Sequence, residues 1–324
     1  MKNMTFKELM DAFYVNKHYN NNSIYAELLA QLKRDRITPV IGAGLSVWAG
    51  YPLWSSLIED LSEGMPDEDV IKNYLSKAQY EKAASVLEES YGHDILIDML
   101  IEQFSDRKLN EGIRPEYQKL LPELFKGPFV TTNFDISLEK LLDAPFTINP
   151  QDTFHEEITL KKLQAYEHFL IKLHGTIEDP KHMVFTEESY NSAYGNGAEN
   201  SDCDKPLPQQ LKLIFQTAPP LFLGCSLSTD RTCKVFEKCN GAKGFALIEL
   251  PKETVNPENP LKPYIKDENQ KFKKSFDERR KILSGMGIRV IWYPYGEHSA
   301  VEILIKQLAE DIKNENKKKI FQMS

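Results

Sequence analysis

The sequence has no two cysteines at the short spacing that a zinc ribbon or a dithiol redox motif requires. Its four cysteines are Cys203, Cys225, Cys233 and Cys239. Because tetrahedral zinc sites are usually built from closely spaced pairs, the cysteine spacing argues against a zinc ribbon and we expect no bound metal. The same usage fits a protein of a reducing compartment.

The chain also lacks a long apolar run and an excess of positive charge. No stretch of its 324 residues approaches the roughly 18 apolar residues of a membrane span, and the amino terminus has no apolar signal region. The net charge is −8 with a pI of about 5.5, whereas nonspecific nucleic-acid binding depends on basic residues. We therefore expect a cytoplasmic protein with no membrane segment and no direct binding to nucleic acid.

Short apolar runs separated by helical patterns are what the sequence does contain. Near-continuous apolar runs are typical of parallel strands covered on both faces, and their alternation with helices predicts a Rossmann-like, doubly wound α/β fold. The predicted strands are Ile37–Ile41, Pro128–Thr131, Phe169–Leu173, Leu221–Leu223, Phe245–Leu250 and Ile288–Trp292.

One long segment, residues 55–126, shows amphipathic helical spacing and no strand pattern. We interpret it as a helical module inserted into a single domain that spans residues 1–324. The Rossmann-like core then consists of residues 23–54 and 127–316. An amphipathic module must bury its apolar faces, so we expect it to contact another protein chain. A lid or a packing element is the alternative.

A glycine turn follows the first predicted strand directly. Glycine at Gly42 and Gly44, with Ala43 between them, allows a tight turn and close approach of backbone N–H groups to a phosphate. Ser46 adds a hydroxyl donor. The third glycine of the dinucleotide fingerprint is Val47 here, and no Gly-Lys-Ser/Thr follows, so a P-loop is excluded. A plain tight turn remains the alternative.

Polar residues also follow three other predicted strands. Asn133 and Asp135 follow the second strand, His174 the third, and Ser226 the fourth. Because ligands of open α/β sheets bind beyond the carboxyl ends of the strands, these side chains and the glycine turn are predicted to line one pocket.

Each of these residues also has a purely structural interpretation. Asn133 or Asp135 can cap a helix that begins near Ile136, and Ser226 can cap another. His174, which precedes a glycine, can be a turn histidine with both nitrogens satisfied. The four strand ends together favour a functional pocket more than any one of them alone.

These motifs together resemble the sirtuin-like superfamily. The matching stretches are GAGLS at 42–46, GYP at 50–52, TNFD at 132–135, KLHG at 172–175 and GCS at 224–226, in the family's order. Sirtuin deacylases also carry a zinc module, a glutamine where this chain has Thr132, and Asp-Phe-Arg where it has Leu-Trp-Ser. In lacking these, the chain is more similar to the zinc-less sirtuin-like NAD hydrolases of bacterial antiphage defence.

The resemblance implies an NAD glycohydrolase that cleaves NAD to nicotinamide and ADP-ribose, so that NAD is the substrate. It implies that Asn133 orients the ribose and the attacking water, that Asp135 contacts the carboxamide side, and that His174 is the base. The residues implied to bind NAD are Gly42, Ala43, Gly44, Ser46, Trp54, Thr132, Gly224 and Ser226. Trp54 is expected at the nicotinamide end, with a plain core tryptophan as the alternative.

Three other functions stay open on the sequence. The first is an NAD-dependent protein deacylase, and the second is a module that senses NAD or ADP-ribose without turnover. A serine hydrolase is the weakest, because Ser228 stands where the nucleophile elbow requires glycine. An NAD hydrolase needs control, so the resemblance also implies a homo-oligomer or a separate sensor partner, such as a P-loop ATPase, within a defence system that depletes NAD.

Overall fold

One parallel sheet organises the protein. The computed structural model describes residues 4–11, 20–105, 111–143, 146–150, 161, 168–196, 205–227, 231–239, 243–252 and 270–323. The strands are β1 Thr38–Ile41, β2 Phe129–Thr131, β3 Phe146–Ile148, β4 Phe169–Lys172, β5 Pro220–Leu223, β6 Gly244–Glu249 and β7 Ile288–Tyr293. They lie in the order β3-β4-β2-β1-β5-β6-β7, and every pairing is parallel.

Helices cover both faces of this sheet. In the described part of the chain they are α1 Phe6–Met10, α2 Asn21–Leu32, α3 Trp54–Ser62, α4 Glu68–Ser76, α5 Tyr80–Tyr91, α6 His93–Phe104, α7 Leu121–Leu124, α8 Ser137–Leu141, α9 Glu187–Tyr194, α10 Pro206–Thr217, α11 Arg231–Glu237, α12 Gln270–Gly285 and α13 Ser299–Met323. None of these helices combines the length and the apolar character needed to cross a membrane.

Two apolar cores, one on each face, hold the sheet. Phe222 and Trp292 belong to one core, and their strand neighbours Leu223 and Ile291 belong to the other. This alternation follows from the period of two along a strand, and it explains why the central strands are apolar on both sides. The doubly wound α/β fold predicted from the sequence is confirmed.

One strand of the sheet, β3, is not among the strands predicted from the sequence. It is three residues long, pairs with β4 alone, and leaves Phe146 48% exposed. A short edge strand needs no continuous apolar run, since one side of it faces solvent. The signal used for the other six strands is therefore absent from it.

Four helices, α3 to α6, form a module with its own core. Leu87 and Leu100 are fully buried in that core, which extends to Phe134 after β2 and to Phe185 after β4. Within the described residues, no strand lies between 55 and 126. Leu121, at the start of α7, packs instead in one of the two cores of the sheet. The module therefore rests on the carboxyl edge of the sheet.

Candidate active site

A cavity of about 590 Å³ lies between the helical module and the carboxyl ends of β1, β2, β4 and β5. Its volume falls within the roughly 300–1,000 Å³ of small-molecule sites. β1 separates the two halves of the sheet, and a cavity beside such a switch point is the expected ligand site of an open α/β sheet. Of the residues singled out from the sequence, those that line it are Gly42, Ala43, Ser46, Trp54, Thr132, Asn133, Asp135, His174, Gly224 and Ser226.

Gly44 is not among the lining residues, because the glycine turn after β1 packs against the turn after β5. The Gly44 N–H donates to the Gly224 carbonyl oxygen at 3.1 Å, and the Gly42 N–H donates to the Leu223 carbonyl oxygen at 2.9 Å. A Cβ at Gly42 would lie 2.5 Å from the Gly224 oxygen. Gly42 has φ −106, so the turn needs a missing side chain at this position rather than a left-handed backbone.

The backbone of this turn can receive a phosphate. Residues Ala43–Leu45 form a single 3₁₀ turn, not the long helix of a dinucleotide fingerprint. The Ala43 N–H has no hydrogen-bond partner among the described residues, and Ala43 lines the cavity. It is therefore an available donor at the start of a helical turn, where anions bind favourably.

A buried hydrogen-bond network joins the turn after β1 to the loop after β2. The Asn133 side-chain nitrogen donates to the Ser46 hydroxyl at 3.0 Å, and the Ser46 and Ser137 hydroxyls are 3.4 Å apart. The Ser137 hydroxyl in turn donates to the Asp135 carboxylate. The Asn133 Oδ1 atom is buried and has no partner within the described parts of the chain. An unsatisfied buried acceptor beside a cavity is a group that a ligand or a water in that cavity can satisfy.

Asp135 caps a helix and also lines the cavity. Its Oδ1 atom accepts from the backbone N–H of Ser137 at 3.0 Å, at the start of α8. The carboxylate therefore satisfies one of the free N–H groups of that helix, as the capping interpretation expected. Both roles coexist in one buried side chain.

His174 is buried between two tyrosines. Its Nδ1 atom lies 3.2 Å from the Tyr190 hydroxyl, and its Nε2 atom lies 3.2 Å from the Tyr194 hydroxyl. The interpretation of His174 as a satisfied histidine is therefore correct for both nitrogens in this structure. The ring nonetheless lines the cavity together with Tyr190.

Aromatic side chains form one wall of the cavity. Trp54 stacks on Phe185 with ring centroids 5.0 Å apart, and it lies 6.2 Å from Tyr80 and 6.3 Å from Tyr190. Trp54 also packs against the module core and one core of the sheet. It is a packing residue and a cavity residue at once, so its two interpretations do not exclude each other.

The family model for the SIR2-like domain matches residues 128–291. The chain belongs to the SIR2-like domain family. The matched segment includes the strand ends that carry Asn133, Asp135, His174 and Ser226, whereas the glycine turn lies before it.

Curated relatives of this SIR2-like chain carry the name NAD(+) hydrolase ThsA. The protein of Acinetobacter baumannii is 28% identical over 169 residues, which are 51% of this chain and 32% of the relative. The protein of Bacillus cereus is 27% identical over 150 residues, 46% of this chain and 30% of the relative. The protein of Enterococcus faecium is 27% identical over 188 residues, which are 58% of this chain and 36% of the relative. The SIR2-like chain thus spans about a third of the length of these relatives.

Lys172 is a structural residue of the site whose role the sequence did not reveal. Its ammonium is fully buried and donates to the carbonyl oxygens of Phe134 and Asp135 at 3.3 and 2.7 Å, and to the Glu139 carboxylate at 2.6 Å. Burial raises the pKa of Glu139, and the facing ammonium opposes that shift. The pair fixes the loop that carries Asn133. A lysine at the end of an apolar strand was the available signal.

Arg114 and Gln118, which lie between α6 and α7, stabilise the site through hydrogen bonds. Gln118 donates to the Leu45 carbonyl oxygen at 2.7 Å, and Arg114 donates to the Ser137 carbonyl oxygen at 2.9 Å while lying 4.8 Å from the Trp48 ring centroid. These contacts join residues far apart in the chain, so no local pattern announces them.

The described residues contain no group of three or more histidine, cysteine or acidic side chains placed to hold a metal ion. Cys225, Cys233 and Cys239 form no disulfide, and Cys203 lies outside the described residues. Among these three cysteines, Cys225 lines the cavity.

Proposed function

We propose that this SIR2-like chain hydrolyses NAD to nicotinamide and ADP-ribose. The observation that carries the proposal is the buried, unsatisfied Asn133 oxygen beside a glycine turn with an available N–H donor. The names of the ThsA relatives support the same substrate and reaction. The cavity is large enough for a ligand of this class.

The chemistry requires little acid assistance. Cleavage of the bond between nicotinamide and ribose C1′ turns a pyridinium into a neutral base, so the leaving group needs no proton. The site must hold the nucleotide, stabilise an oxocarbenium-like ribose and place a water against C1′. The water must also lose a proton as its oxygen bonds to C1′.

The strand ends divide this work. Asn133, held by Ser46, offers its Oδ1 to the attacking water or to a ribose hydroxyl. His174 takes up the proton, a role that suits a neutral imidazole near pH 7. Asp135 lies on the carboxamide side, and its buried carboxylate keeps its place through Ser137.

The remaining cavity residues hold the rest of the nucleotide. Ala43 and Ser46 contact the pyrophosphate, and Gly42 and Gly44 shape the turn that presents them. Ser226 and Gly224, in the turn after β5, contact phosphate or ribose on the adenosine side. Trp54 covers the nicotinamide end. Thr132, in the loop after β2, lines the same cavity and contacts the nucleotide.

Product analysis in ¹⁸O-labelled water tests this function. The purified chain is incubated with NAD and no acceptor. The products are separated by chromatography, and their masses are measured by mass spectrometry. Hydrolysis yields free nicotinamide and ADP-ribose that carries one ¹⁸O atom. An O-acyl-ADP-ribose product that forms only with an acyl-peptide would show a deacylase instead.

A module that binds NAD or ADP-ribose without turnover is the second candidate. The observation that favours it is the engagement of both His174 nitrogens by tyrosine hydroxyls. Calorimetry beside the turnover assay separates the two candidates. Saturable NAD binding with no nicotinamide release over days, at enzyme concentrations near that of NAD, supports the binding module.

We further propose that the chain is an effector of an antiphage defence system and acts by depleting NAD. A second copy of this chain or a sensor protein is then expected to control it. Exposed apolar side chains on the helical module support such contacts: Val70 is 45% exposed, Ile95 56% and Ile101 38%. Ile95→Glu should change the assembly state in light scattering while the circular dichroism spectrum stays the same. An unchanged assembly and unchanged control would reduce the module to a packing element.

A further inference from the structure

His174 has no nitrogen left for a direct contact with substrate in this structure. Its two nitrogens lie 3.2 Å from the Tyr190 and Tyr194 hydroxyls, and its side chain is almost entirely buried. A neutral imidazole has one N–H donor and one acceptor nitrogen, so two hydroxyl neighbours satisfy both. A proton that reaches His174 must therefore pass a tyrosine or displace one.

The two tyrosines differ in position. Tyr194 is fully buried and packs in the core of the sheet, and it is not among the residues that line the cavity. Tyr190, one helical turn earlier on α9, does line the cavity. Of the two tyrosines, Tyr190 is thus the one that both lines the cavity and contacts a nitrogen of His174.

We propose that Tyr190 is a catalytic residue that relays the proton of the attacking water to His174. The proposal rests on the NAD hydrolase function proposed above. The relay requires the tautomer of His174 in which Nδ1 is the acceptor and the Nε2–H donates to the Tyr194 hydroxyl, and Tyr194 itself carries no proton of the relay.

The relay balances in protons and electrons. The water oxygen forms a bond to ribose C1′ as the C1′–N bond breaks, and nicotinamide leaves with the electron pair of that bond. One water proton passes to the Tyr190 oxygen while the Tyr190 hydroxyl proton passes to His174 Nδ1. Tyr190 ends as a phenol, His174 ends protonated, and the second water proton stays on the new hydroxyl of ADP-ribose. Solvent then removes the proton from His174.

Neighbouring groups hold the Tyr190 ring in this place. Its ring centroid lies 4.9 Å from that of His174 and 6.0 Å from that of Tyr194, and the two tyrosine rings are stacked. The Arg231 guanidinium carbon lies over the Tyr190 ring, 5.3 Å from the ring centroid. Arg231 is itself fixed by a bidentate contact with Glu81 of the helical module. The relay is therefore built into the packing of α9 between the sheet and the module.

The test compares two variants that each remove one hydroxyl from His174. Tyr190→Phe should lower the kcat for nicotinamide release by about 10²-fold or more, the scale of one proton-transfer group, with NAD affinity retained. Tyr194→Phe is the matched control, and its kcat should fall less than about tenfold, because one neutral hydrogen bond is lost and the relay is kept. Circular dichroism checks that both variants are folded.

Fluorinated tyrosine at position 190 keeps the shape of the ring and makes the phenol a stronger acid. The relay needs the protonated phenol, so the alkaline limb of the pH–rate profile should move to lower pH. This variant keeps the proposal testable even if Tyr190→Phe is poorly folded. An alkaline limb that does not move with fluorination would overturn the relay.

Several outcomes separate the relay from the function on which it rests. No nicotinamide release by the unmodified chain would overturn the function itself. Release by Tyr190→Phe within tenfold of the unmodified chain, with His174→Ala inactive, would overturn the relay alone. A Tyr190→Phe defect confined to NAD affinity would also overturn it. Independently of activity, the ¹⁵N resonance of His174 Nδ1 should shift in Tyr190→Phe, and an unchanged resonance would contradict the contact.

Discussion

Adding one methyl group at Gly42 should separate the two turns that frame the proposed NAD site. In Gly42→Ala the new Cβ lies 2.5 Å from the Gly224 oxygen and 2.8 Å from the Cys225 sulfur, whereas ordinary contact begins at 3.4 Å. The turns after β1 and β5 must therefore move apart by up to about 0.9 Å. Overpacking of this kind costs about 1–3 kcal/mol of stability.

The same displacement moves the Ala43 N–H and Ser46 relative to Gly224. We expect the affinity for NAD to fall at least about tenfold, which corresponds to roughly 1.4 kcal/mol. Calorimetry with NAD and a thermal unfolding curve measure the two effects. Gly127→Ala is the matched control, because a Cβ there has no atom within 4 Å. Wild-type affinity and an unchanged melting temperature in Gly42→Ala would contradict the close backbone-to-backbone packing of the two turns.

Four further outcomes are expected. His174→Ala should lose about 10²–10⁴-fold in nicotinamide release yet still bind NAD in calorimetry, and full turnover by this variant would remove the histidine from the mechanism. Asn133→Ala should lose turnover similarly with some loss of affinity, and unchanged kinetics would show that its free oxygen has no role. Arg231→Met leaves the Glu81 carboxylate without its cation and should lower the free energy of unfolding in urea by about 3 kcal/mol. This loss is near the low end for breaking a buried ion pair, because the Glu81 side chain is 17% exposed. A loss below about 1 kcal/mol would contradict the anchoring of the helical module by this pair. Strong chelators should leave turnover unchanged, and stoichiometric zinc in the purified protein would contradict our expectation that the chain binds no metal.

The predicted parts of the fold are those with a local signal. The strands β1 and β5 are continuous apolar runs, and the apolar stripe of Ile24, Leu28 and Leu32 marks a helix that the structure places at Asn21–Leu32. Ligands bind beyond the carboxyl ends of parallel strands, and this rule predicts that the strand-end residues line one pocket. In the structure they line one cavity. The edge strand β3, by contrast, is partly exposed to solvent, so its sequence lacks the continuous apolar run that is typical of a buried strand.

The supporting contacts of the site were not predictable because they join residues distant in sequence. Tyr190 and Tyr194 are four residues apart on one face of α9, which a periodicity analysis can show. Nothing local indicates that this face meets His174. Gly44 was placed in the site by its motif, whereas the structure uses it to pack against Gly224. The motif therefore predicts a turn after the first strand but does not tell which glycine lines the cavity.

Whether this chain hydrolyses NAD is decided by the release of nicotinamide from NAD by the purified chain, without peptide or other acceptor. The chain and Asn133→Ala are incubated with NAD at comparable concentrations, and nicotinamide and ADP-ribose are followed by proton NMR. We expect equal amounts of both products from the unmodified chain and at most a trace from Asn133→Ala. Bound but intact NAD in both samples, or equal turnover in both, would contradict the proposed hydrolysis.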